Sequence, residues 1–156
     1  MVDYYGLPRE GEKSWPGRAA ASILPSTEKG NAVEGALLAD LSSDMGSDFD
    51  SRRSVPFVVV HEFEALLFSD CSAFARSIGQ PALESKFREI RDGFQTPEEI
   101  NDSPITAPSK RVEQLVPGYD KILAGTFAVL EIGMLKIRAA CPHFSSWLEK
   151  LESLAG

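Results

Sequence analysis

The stretch from Val55 to Asp70, VPFVVVHEFEALLFSD, constrains this chain more than any other. Val55, Phe57, Val58, Val59 and Val60 form a continuous apolar run, the pattern of a strand buried on both faces in a parallel sheet. Pro56 stands near its start, where a missing N–H does least harm. The run then passes without a turn signal into HEFEALLFSD, which reads as the first turns of a helix. His61, Glu62 and Glu64 therefore fall at the carboxyl end of the strand, the edge at which open α/β sheets hold ligands.

Three carboxylates suit that edge. Val2 to Tyr5 reads as a second strand, and if it lies parallel to the Val58 strand, Asp3 emerges beside Glu62 and Glu64. Mg²⁺ binds through one or two carboxylates together with water and substrate phosphate oxygens, so such a set points to phosphoryl chemistry. The zincin pattern HExxH fails, because the fifth residue of HEFEA is Ala65. The bland reading is that Glu62 and Glu64 compensate the dipole of a helix start.

Elsewhere the pattern is helical. A single turn is expected between Arg18 and Leu24. Val33, Ala36, Leu37 and Leu41 predict an amphipathic helix from about Thr27 to Met45, capped by Ser26 or Thr27 and ended by Gly46. Ser47 to Ser54 is a solvated loop whose Asp48 and Asp50 lack the Gly and terminal Glu of a calcium loop. Asp70 or Ser72 caps a short helix, and Pro81 opens another that carries Leu83, Phe87 and Ile90 and stops near Gly93. Thr96 ahead of Pro97, and Thr106 ahead of Pro108, mark two helix starts. At the second, Ser109, Lys110 and Arg111 join free N–H groups to two cations, which predicts a phosphate-binding segment. Three helices follow, Tyr119–Ile132, Leu135–Ala140 and Pro142–Leu154, with Phe127, Leu130, Ile137, Phe144, Trp147, Leu148 and Leu151 as their apolar positions.

A net charge of −7 excludes a surface built throughout to grip nucleic acid, although a local basic patch remains compatible. The two cysteines, Cys71 and Cys141, belong to no CxxC or Cys/His cluster, so the expected setting is reducing and cytoplasmic. No segment approaches the roughly 18 apolar residues of a membrane span.

The blocks MVDYYGLP, HEFEALLFSD, PEEINDSPITAPSKR, PGYDK and CPHFSSWLEKLE together resemble a bacterial family of Toprim-like proteins of unknown function, encoded beside SMC-like or ABC-class ATPases in defence loci. The resemblance spans nearly the whole chain. It implies a single α/β domain with a Rossmann-like (Toprim-like), mainly parallel sheet, a core over 1–70 and a helical part over 71–156. It also implies Mg²⁺ (or Mn²⁺) held by Asp3, Glu62 and Glu64, cleavage of DNA or RNA phosphodiesters, and an SMC/ABC-class ATPase partner. The chain departs from the family at the front, where the strand and turn bearing the Toprim glutamate are missing and Tyr4 and Tyr5 follow Asp3 in place of a second aspartate. This predicts weak or absent nuclease activity for the short chain, and an open sheet edge that favours a homo-oligomer. The alternative, from another class, is a non-catalytic interaction module in which the HEFE segment is structural.

Overall fold

Val2–Asp3 (β1) and Val58–Val59 (β2) pair in parallel, with Val2 opposite Val58 and Asp3 opposite Val59. The computed structural model describes residues 1–60, 62–100 and 106–154. His61 and the stretch 101–105, which the sequence placed at the strand end and before the phosphate segment, lie outside the described residues. The parallel pairing joins the two segments read as strands, but the mainly parallel Rossmann-like sheet expected around it does not form. Among the described residues the sheet has only these two strands of two residues each. One physical reason is visible at β2: the Val58 N–H is taken by Glu34 Oε1 at 2.8 Å, so a helix side chain occupies a position where a further strand would bond. The other is that the remaining apolar segments carry helical spacing.

The chain divides into two compact units, residues 1–60 with 146–156, and residues 61–145. In the first, α1 (Ser26–Met45) follows a helical turn over Ala20–Ile23. The residue preceding α1 is Pro25 and no side chain caps it, so neither Ser26 nor Thr27 plays the expected role; Gly46, at φ 71°, does end the helix. Tyr4, Leu7, Ala21, Val33 and Val58 form the core. Arg18 is buried beside it, its Nε donating to the Tyr4 carbonyl at 2.9 Å and its guanidinium 3.7 Å above the Tyr4 ring. Trp147 stacks on Phe57 at 4.8 Å and donates through Nε1 to the Val55 carbonyl, which ties the C-terminal segment to the approach of β2.

The Pro16-Gly17 turn packs tightly on α1. Gly17 has φ 71°, and a Cβ there would stand 2.5 Å from the Ala36 Cβ. Gly17→Ala is therefore expected to cost about 2–3 kcal/mol, from the left-handed backbone and the overpacking together. A urea titration that shows a loss below half of this would mean the turn relaxes freely.

The second unit is helical: α2 (Glu64–Leu67), α3 (Cys71–Ser77), α4 (Glu84–Asp92), α5 (Pro108–Leu115), α6 (Lys121–Ile132) and α7 (Met134–Ala140), followed by the start of α8 (Pro142–Ser153). Asp70 caps α3 as the sequence suggests, accepting from the Ala73 N–H at 2.9 Å, and its carboxylate also receives Lys136. Leu67, Phe68, Phe74, Phe87, Ile100 and Val112 centre the core. α6 buries Gly125, Ala128 and Ile132 while Phe127 and Leu130, two of its apolar positions, are exposed. Among the described residues no helix is long and apolar enough to cross a membrane.

Candidate functional site

Two helices start in the second unit with proline at their first position: α5 after Ala107, with no capping side chain, and α8 after Cys141, whose side chain has no oxygen. Proline presets the first helical φ but leaves the next N–H groups without acceptors. Thr106 accordingly does not cap α5, and remote glutamates supply the missing acceptors. Glu98 receives the His143 and Phe144 N–H groups at 3.0 and 2.8 Å. Glu62 Oε2 receives the Ser109 N–H at 2.8 Å. The anion on the α5 N-terminus, which the sequence assigned to phosphate, is thus the protein's own carboxylate.

Glu62 Oε1 in turn accepts from Lys121 Nζ at 3.3 Å, and the same ammonium stands 3.9 Å from Glu64 Oε1. Glu64 is only 5% exposed. Lys121 opens α6 just after Asp120, whose carboxylate accepts from the Ile122 and Leu123 N–H groups. One cation therefore lies between two carboxylates drawn from HEFE, and an α5 N–H fixes one of them.

The surroundings drive the two acids apart. Burial opposes the charge of Glu62, but the Ser109 hydroxyl and N–H together with Lys121 outweigh it and hold its pKa below the ordinary value. Burial pushes Glu64 the other way; its own N–H and Lys121 resist, while Glu62 and Glu113 add to the rise. Two hydroxyls complete the setting. Tyr119 Oη and Ser109 Oγ are buried without a hydrogen-bond partner among the described residues. The Ser109 hydroxyl is near enough to favour the Glu62 charge, but its geometry falls short of a hydrogen bond. Burial, with Glu64 and Asp120 nearby, raises the Tyr119 phenol well above its usual range.

The other expected site residues are placed differently. Lys110 pairs with Glu113 at 2.6 Å. Arg111 donates to the Thr106 carbonyl at 2.8 Å and lies 5.7 Å from the Phe94 ring centre, so both cations have partners within the chain. Asp3 belongs to the first unit, where its Oδ1 accepts from the Tyr5 N–H. Among the described residues no group of three His, Cys, Asp or Glu side chains is arranged to hold a metal ion.

Residues 1–152 match the family described as Domain of unknown function (DUF4276). The chain belongs to that family. No curated protein and no solved structure matches it. In this DUF4276 chain, Lys121, Tyr119 and Glu98 are the site and capping residues that sequence reasoning missed. For Glu98 a signal existed: a proline-led helix after Cys141, a residue with no side-chain oxygen, requires an acceptor from elsewhere. For Lys121 and Tyr119 the PGYDK block offered only its place in the chain.

Proposed function

We propose that the Glu62, Glu64 and Lys121 cluster binds a divalent cation and the phosphate of a nucleic acid, and that the chain is a metal-dependent phosphodiesterase. What carries this reading is the convergence of two carboxylates, displaced in opposite directions, on one ammonium. Separated acid strengths within one partly buried cluster are a mark of functional sites. The donors are hard carboxylate oxygens of the kind Mg²⁺ or Mn²⁺ takes, and the ion would replace the Lys121 ammonium that stands between them. Glu62 and Glu64 would hold the ion, which when bound would neutralise phosphate charge. The Ser109 N–H keeps Glu62 oriented, and Lys121 supplies a second positive group for the phosphate. Asp3 stands outside this reading. An ATPase partner of the SMC/ABC class rests on the sequence resemblance alone.

Adding Mn²⁺ to isotopically labelled protein tests the ion directly, whatever the turnover. Paramagnetic broadening is expected first at the Ser109 amide and the residues around Glu64 and Lys121, and Glu62→Ala should abolish it. Affinity should rise with pH, because the carboxylates must be ionised to ligate. Broadening centred elsewhere, or equally strong in Glu62→Ala, would remove the assignment.

A second reading, the non-catalytic interaction module, is favoured by a different observation: the exposed apolar residues of α6 and α7. On that reading Glu62 and Glu64 serve only to join α2, α5 and α6.

A further inference from the structure

The buried side of α6 is Gly125, Ala128 and Ile132. Helical spacing turns Ile122, Leu123, Thr126, Phe127 and Leu130 to the opposite side. None of those four large apolar side chains is covered: Ile122 is 84% exposed, Leu123 57%, Phe127 53% and Leu130 73%. Met134 and Leu135 at the start of α7 are also exposed, at 48% and 86%. Together they present about 800 Å² per copy, the share that each partner of a standard-size interface buries. Soluble monomers rarely leave an apolar patch of that size open to water.

We propose that this face pairs with the same face of a second copy of the chain, the two α6 helices antiparallel about a two-fold axis between Thr126 and Phe127. The area fits two equal halves of one interface. The charge pattern fits as well. No charged residue occurs from Ile122 to Leu130, so two chains of net charge −7 can meet here without setting like charges opposite each other. Lys121 and Glu131, at the two ends of this stretch, are held within the chain by Glu62 and Glu64 and by Arg76, so neither sets an unpaired charge on the face. Antiparallel pairing sets Leu123 against Leu130 of the partner subunit, with the small Thr126 making room for the Phe127 ring. This inference does not rest on the carboxylate reading.

Sedimentation equilibrium of the full chain across micromolar concentrations is expected to show a dimer. Leu130→Glu, and separately Leu123→Glu, should weaken it by about 100-fold or more, since each substitution enters the interface twice at hot-spot scale. Both positions are exposed, so circular dichroism and the melting curve should keep their folded form. A spin label on Thr126→Cys should show strong dipolar broadening in the dimer, because packed helix axes lie only about 8–10 Å apart. A wild-type monomer throughout would overturn the proposal, as would a dimer indifferent to both substitutions or labels at Thr126 without coupling.

Discussion

Phe74→Ala is expected to destabilise the chain by about 3–5 kcal/mol, a large part of the 5–15 kcal/mol that holds a typical domain folded. Phe74 is fully buried and stacks on Phe87 with ring centres 4.7 Å apart and planes 14° from parallel. Phe68 meets both rings edge-on, at 5.6 and 5.7 Å. Three aromatic rings from the end of α2, from α3 and from α4 thus form one packed cluster at the centre of the second unit. Removing the middle ring loses its transfer free energy and leaves a cavity that two stiff neighbours cannot refill. Phe74→Leu keeps most of the volume and should cost about half as much or less. A urea midpoint for Phe74→Ala within about 1 kcal/mol of wild type would show that the cluster collapses freely.

The helices were legible because their signals are local. Gly46 and Gly93 mark ends, Asp70 marks a start, and Val33 and Phe87 fall on faces set by a period of three and four. The parallel pairing of Val2 with Val58 could likewise be expected from the short strand signal at Val2 to Tyr5 and the apolar run Val55 to Val60. Sheet size could not, since it depends on partners far away in sequence. The run Val55 to Val60 is apolar on both sides because Glu34, Trp147 and the Tyr4 core cover it, while β1 flanks it on one edge only. A continuous apolar run reports burial, and burial by helices and an indole looks the same in sequence as burial inside a large sheet. The same ambiguity leaves Phe127 and Leu130 open, since their spacing announces a helix without saying which apolar side meets the core and which meets water.

At the candidate site the residue types were readable and their partners were not. Glu62 and Glu64 follow β2 closely enough for the sequence to single them out. Ser109 and Lys121 reach Glu62 across separations of 47 and 59 residues, which no local pattern encodes. Lys110 and Arg111 looked free in sequence because Glu113 and the Thr106 carbonyl are ordinary neighbours, with nothing to announce that they would be chosen.

Opposite pH signatures are expected when the two glutamates are neutralised in metal-free protein. Glu62 has its pKa lowered from 4.5, so its charge stabilises the fold above that value and the contribution is lost as pH falls through the lowered pKa. Glu62→Gln should therefore cost about 1–3 kcal/mol at pH 7, the scale of a hydrogen bond to a charged group, and the deficit should shrink in acid. Glu64 has its pKa raised from 4.5, so its favourable contribution is present below that value and disappears as pH climbs through the raised pKa. At pH 7 its buried charge is a burden, and Glu64→Gln should match or exceed wild-type stability, with the advantage vanishing toward pH 4.5. A glutamate kept at a cost to stability is what a working site requires and a structural joint does not. If the cluster is catalytic, Glu62→Ala and Glu64→Gln should each lower metal-dependent phosphodiester cleavage by roughly 100-fold to 10,000-fold, although only the first destabilises the fold. Glu64→Gln that is both less stable at pH 7 and fully active would return the pair to the role of joining three helices.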